Sequence, residues 1–222
     1  MKILIVTAFC FFLAWPPPAY ADSSLVQEKG CPDCHRFSSA DPAEKHKAPD
    51  LFYAGDKFKK QWLAEFLQHP YTLRKAGYTV DPGFPLGEPA LKAPHVSVSK
   101  EEAEKIADYL AELKLPGLET GKVDSNPLSK SLRARLKIDF ERTYGCTACH
   151  EALNLTGNVR GGVSGPSLVN AGNRLQTDWI FNWLKSPKQF LERGRMPIFD
   201  LDDDTAAAIT QYILTIQQKN EN

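Results

Sequence analysis

The chain has 222 residues, with 27 Lys and Arg against 27 Asp and Glu, so its formal net charge is zero. That balance excludes the charge asymmetry of a nucleic-acid binder or a protein held on an anionic membrane surface. Low methionine and modest aromatic content give no sign of disorder, and a globular protein is expected.

In chain order, Lys2 supplies a positive start and Ile3 to Leu13 form a short apolar run. Pro16, Pro17 and Pro18 break it before Ala19-Tyr20-Ala21, the small-x-small form of a signal-peptidase site. The run is about half of the roughly 20 residues needed to span a bilayer. Residues 1–21 are therefore expected to be a signal peptide cleaved after Ala21, with an uncleaved anchor as the alternative. Cys10 lies inside the run without a small-residue site before it and is not read as a lipid attachment point. The mature chain would start at Asp22, one unit negative after the loss of Lys2, in the periplasm.

Four cysteines remain beyond that segment, in two pairs: Cys31-Pro-Asp-Cys34-His35 and Cys146-Thr-Ala-Cys149-His150. An even cysteine count in an exported chain ordinarily means disulfides, but this pentapeptide is the attachment signature of c-type haem. Two thiols three positions apart can add to the two vinyl groups on one porphyrin edge, and the adjoining histidine then lies under the iron. Cys31, Cys34, Cys146 and Cys149 are thus expected to carry two haem c groups, with His35 and His150 as proximal ligands. A redox-active Cys-x-x-Cys pair and a Cys/His zinc site are the alternatives. Neither explains a histidine directly after the second cysteine both times.

Beyond each motif the two halves repeat one another. Ala48-Pro49-Asp50-Leu51 parallels Gly165-Pro166-Ser167-Leu168, and Ala54-Gly55 parallels Ala171-Gly172. Trp62-Leu63, Phe66-Leu67 and Pro70 parallel Trp179-Ile180, Trp183-Leu184 and Pro187, and Ile106 to Leu110 parallels Ile209 to Ile213. The pattern is helical throughout, and no segment alternates as a strand would. A short helix leads into each motif, in the second half the amphipathic run Ser131 to Tyr144. A middle helix carries Trp62 or Trp179. Ser99-Lys100-Glu101-Glu102 reads as a capping box opening a helix to about Leu115, and Asp202 caps its counterpart, which runs to about Gln218. Two domains are expected, 22–115 and 130–222, joined by a Gly-, Pro- and Ser-rich linker over 116–129.

With these residues the chain resembles tandem class I cytochromes c over nearly all of Asp22 to Lys219. The likeness rests on Cys-x-x-Cys-His, the Gly-Pro loop, the Met-Pro loop Arg195-Met196-Pro197 and the closing Ile-x-x-Tyr helix. It implies an all-α fold in which the first and last helices of each domain pack together around one haem. It also implies that the carbonyls of Pro49 and Pro166 hold His35 and His150, as metal-ligating histidines usually require. Trp62 and Trp179 could reach a haem carboxylate through the indole N–H or could be plain core.

Met196 is the only methionine besides Met1 and sits in the Met-Pro loop, so it is expected as distal ligand of the second haem. A thioether stabilises ferrous iron and raises the potential. Aligning Tyr109 with Tyr212 places Ala93 opposite Met196, so the first half departs from the family pattern. His95, two positions further on, is assigned there, ahead of His69 and His46. The first half also carries a longer loop, Tyr71 to Lys92 with Tyr78 and Phe84, which could cover the haem edge, meet a partner or be a tolerated surface insertion.

A six-coordinate iron offers no open site, so the expected function is single-electron transfer, not enzyme catalysis. The first, His/His haem would lie at lower potential and the second, His/Met haem at higher potential. Axial ligands move haem potentials over as much as about 0.8 V. Partners would be redox proteins, a membrane respiratory complex among them, with neither nucleic acid nor organic substrate. Two alternatives stand beside this: a haem enzyme with an open site at the first iron, and a fixed haem subunit of a larger complex.

Overall fold

The structure is a computed structural model that describes residues 23–42, 48–77, 95–154 and 156–217. Among these residues 47% are helical and 3% are in strands. The predicted signal peptide, His46, Tyr78, Phe84, Ala93 and Pro94 lie outside the described residues.

The first half runs through α1 (Ser24–Glu28), α2 (Ala54–Lys57), α3 (Lys60–Gln68) and α4 (Lys100–Glu112). Helix α4 begins at the expected capping box: the Ser99 side chain accepts from Glu102 N, and the Glu102 carboxylate accepts from Ser99 N. Its buried face, Ala103, Ile106, Ala107 and Leu110, follows the helical repeat and packs on Trp62, Leu63 and Leu67 of α3. Burying each such Leu or Ile is worth about 1.5–3 kcal/mol. Helix α1 adds Val26 to the same core, and Lys29 just beyond it pairs with Glu102 at 2.7 Å.

The second half repeats the order with α5 (Lys130–Ile138), α6 (Ala171–Arg174), α7 (Thr177–Lys185), α8 (Pro187–Phe190) and α9 (Asp203–Leu214). Helix α5 ends in a π-helical turn over Asp139–Thr143. Asp202 caps α9 by accepting from Thr205 N at 2.7 Å. The core is built from Leu136, Phe140, Ile180, Phe181, Leu184, Ile209 and Ile213. In both halves the first and closing helices touch, α1 with α4 and α5 with α9. One element departs from the sequence reading. Strands β1 (Ala152–Leu153) and β2 (Val159–Arg160) form a small antiparallel hairpin. Asn154 closes its turn, its side-chain oxygen accepting from Thr156 N and Asn158 N, both at 2.9 Å.

Both closing helices stop earlier than expected, α4 at Glu112, where Leu113 turns to extended backbone, and α9 at Leu214. A carbonyl just beyond each end accepts from the glycine of the Ala-Gly pair in the same half. Gly55 N donates to Leu113 O at 2.9 Å, and Gly172 N donates to Ile216 O at 3.1 Å. A Cβ at Gly55 would lie 2.1 Å from Ala111 O, and one at Gly172 would lie 2.0 Å from Leu214 O. Only glycine allows that approach.

The halves join through equivalent positions. Phe58 and Leu175 form an antiparallel bridge, with Lys59 N donating to Arg174 O (2.9 Å) and Gln176 N to Lys57 O (3.0 Å). Phe58 and Leu175 occupy the same place in the repeat, so this junction is a pseudo-twofold. Beside it, Tyr53 stacks on Trp179 at 4.7 Å in a cluster with Phe190, Trp183, Leu115 and Leu118. The segment expected as a linker is fastened down: Glu119 N and Gly121 N donate to Asn182 and Asp178, and Gln211 to Asp124 O, while Leu115 N just before it donates to Asp56.

Candidate functional site

Each Cys-x-x-Cys-His segment folds as one tight turn, and the two turns are alike. A glycine in the left-handed region leads into each, Gly30 at φ 67° and Gly145 at φ 61°. Cys34 N and His35 N both donate to Cys31 O (3.2 and 3.0 Å), and Cys149 N and His150 N both donate to Cys146 O (3.3 and 3.0 Å). None of the four cysteines forms a disulfide. Burial raises the Cys31 pKa and pushes Cys146 up to about 11. A redox-active pair needs the opposite shift, because the thiolate is the reactive form.

The following loop is stitched to each turn in the same register. Ala48 N donates to Cys34 O and Leu51 N to Arg36 O; in the second half Gly165 N donates to Cys149 O and Leu168 N to Glu151 O. This delivers the prolyl carbonyls to the histidines. His35 Nδ1 lies 2.6 Å from Pro49 O, and His150 Nδ1 lies 2.8 Å from Pro166 O. A Cβ at Gly165 would come within 2.5 Å of the His150 ring, although the first half carries Ala48 at the matching place.

With Nδ1–H donating, each ring keeps an Nε2 lone pair for a metal. Burial pushes His35 down to about 4, further than the Pro49 carbonyl can offset, and the charges of His95 and Lys57 add to the effect. His150 is lowered for the same first reason, with Arg74 and Arg174 acting in the same direction. Both rings are therefore neutral at pH 7, the form that ligates iron.

His95 faces His35, with ring centroids 6.1 Å apart and planes 60° apart, and its own Nδ1 lies 2.8 Å from Val96 O. Phe66 touches His95 at 5.2 Å between centroids. At the equivalent position of α7, Trp183 donates its indole N–H to Met196 Sδ at 2.9 Å. The two distal candidates thus touch equivalent positions of the repeat, Phe66 and Trp183, despite the offset in sequence. His69 is exposed at the end of α3.

The two central tryptophans are packed. Trp62 stacks on Phe66 and donates its N–H to the Tyr71 hydroxyl at 3.1 Å, while Trp179 lies between Tyr53 and Phe190. Tyr71 opens a strap, 71–77, that crosses to the second half. Its hydroxyl meets Asn170, Leu73 O accepts from Ser167 N at 2.8 Å, and Lys75 pairs with Glu151 at 2.6 Å.

Among the described residues no three His, Cys, Asp or Glu side chains converge as a metal cage. The arrangement instead presents two thiols and a fixed imidazole per half, with a second imidazole, His95, opposite His35. That donor set fits a porphyrin iron, which needs only axial ligands from the protein. Three features escaped the sequence reading. Gly30 and Gly145 both precede a motif, and Lys57 and Arg174 both lie three residues after Ala54 or Ala171, so the repeat itself carried those signals. The strap carried none, because its contacts with the other half join residues far apart in sequence.

No family model, curated protein or solved structure matches the chain. No helix among the described residues is long and apolar enough to cross a membrane.

Proposed function

We propose that the chain is an exported dihaem c-type cytochrome, periplasmic in location, that passes single electrons between redox partner proteins. When bound, the iron porphyrin supplies reversible one-electron exchange. Cys31 and Cys34 would hold one porphyrin, with His35 and His95 as axial ligands. Cys146 and Cys149 would hold the other, with His150 and Met196. The Pro49 and Pro166 carbonyls orient the proximal rings and raise their basicity. Imidazole opposite imidazole favours ferric iron more than thioether does, so electrons would enter through the first half and leave through the second.

The observation that carries this reading is the duplicated geometry: two alike Cys-x-x-Cys-His turns, each with its histidine held by a prolyl carbonyl. The position of His95 across from His35 favours electron transfer over an enzyme with an open first iron. Intact-mass measurement of the purified protein should show two covalent haem increments. Near-infrared and EPR spectra of the oxidised form should then show one His/His and one His/Met iron. A colourless protein of unmodified mass would end the proposal, and a high-spin first iron that binds cyanide rapidly would favour the enzyme.

A further inference from the structure

Helix α5, the β1–β2 hairpin and the end of α9 enclose a cleft of about 340 Å³, within the size range of small-molecule sites. Lys130, Arg133 and Lys137 line it from α5, Leu153 from the hairpin, Tyr212 from α9 and Ile216 from just beyond. Positions 130, 133 and 137 share one helical face. Lys137 is spent: it pairs with Glu141 and donates to Leu153 O at 3.0 Å, which pins the hairpin to the helix. Lys130 and Arg133 meet no carboxylate among the described residues, and Arg133 Nη2 reaches only the Thr215 carbonyl, at 3.4 Å.

Tyr212 supplies an independent sign. It is 3% exposed, and its ring packs on Phe140 with centroids 5.2 Å apart. Its hydroxyl makes no hydrogen bond among the described residues, and the residue lines the cleft. A buried tyrosine ordinarily finds a partner for that group. Burial, and then the charge of Glu141, push its pKa up to about 12, so it remains an O–H donor at pH 7. The first half offers nothing comparable. Its α1 holds no basic residue, and its matching Tyr109 stacks on Phe37. The cleft therefore belongs to the second half and not to the duplicated scaffold.

We propose that this cleft binds a small organic carboxylate, its charge on Arg133 and Lys130, one oxygen accepting from the Tyr212 hydroxyl, and its apolar body on Leu153 and Ile216. A guanidinium and a carboxylate match as a bidentate pair. An inorganic anion would meet the cations but leave the apolar wall uncovered. Once bound, the ligand bridges α5, the hairpin and α9, and it stabilises the second half by mass action. The proposal is independent of the haem reading.

The test is calorimetric titration of the purified full chain with benzoate and with hexanoate. Benzamide, of the same shape as benzoate but uncharged, is the control. At least one carboxylate should bind saturably and raise the unfolding temperature, whereas benzamide should do neither. Arg133→Gln, a change at an exposed position, should weaken binding at least about tenfold, the effect of one charge-assisted hydrogen bond. Tyr212→Phe keeps the packing on Phe140 and should weaken it about threefold. Absence of saturable binding by both carboxylates, equal binding of benzamide, or full affinity in Arg133→Gln would overturn the proposal. Inorganic phosphate binding as tightly as the carboxylates would overturn it too, by placing a bare oxyanion in the cleft.

Discussion

His35 and His95 face one another 6.1 Å apart, ring centre to ring centre, although 60 positions separate them along the chain. Packing of His95 on Phe66 of α3 and the hold of Pro49 on His35 set that spacing. On the proposed function, His95→Met should raise the potential of the haem held by the first half by at least a tenfold change in redox equilibrium, about 59 mV, and add a second sulfur–iron charge-transfer band. A spectrum and potential equal to wild type would remove His95 from the ligand set.

Tyr71 ties the halves together by accepting from Trp62 and meeting Asn170. Tyr71→Phe leaves the indole N–H of a buried tryptophan without a partner, which costs about 1–3 kcal/mol. Urea denaturation should show that loss, together with faster proteolysis in the 113–129 segment. Unaltered stability would mean that the strap is only laid on the surface.

Gly172 admits the end of α9 at a distance no side chain tolerates. Gly172→Ala should destabilise the second half by about 1–3 kcal/mol, the usual range for overpacking, and Gly55→Ala should do the same in the first. Calorimetry of the two variants would reveal it, and a pair of wild-type thermograms would contradict the close approach.

Glu102 is held by Lys29 and by Ser99, which push its pKa down to about 2. Since the folded value lies below the usual carboxylate range, this contribution is complete above about pH 4.5 and is lost as pH falls towards 2. Hydrogen exchange of α1 and α4 amides should accelerate across that window, and Glu102→Gln should flatten the dependence. An acid profile indifferent to the substitution would show that the tie does not matter.

Much of this could be read along the chain because it is local. The Cys-x-x-Cys-His turns, the capping box at Ser99 and the apolar stripe of α4 depend on neighbours within a few residues, and they lie where the periodicity predicts. The closing helices end before the periodicity does, since their last carbonyls are met by Gly55 and Gly172 from far away in sequence, a contact no local pattern marks. Likewise, 116–129 has the composition of a linker, yet its backbone is bound by Asp178 and Asn182. Composition reports flexibility in isolation, not what a neighbouring surface offers.

The sequence by itself determined the helical class, the repeat and the two cysteine–histidine motifs, because each is written in adjacent residues and in helical spacing. Tertiary structure alone decided that Tyr71 bridges the halves and that Lys57 and Arg174 flank a pseudo-twofold. Those relations arise when two separate cores dock. The energy that selects them comes from burying Tyr53, Trp179 and Phe190 together, which no local pattern encodes.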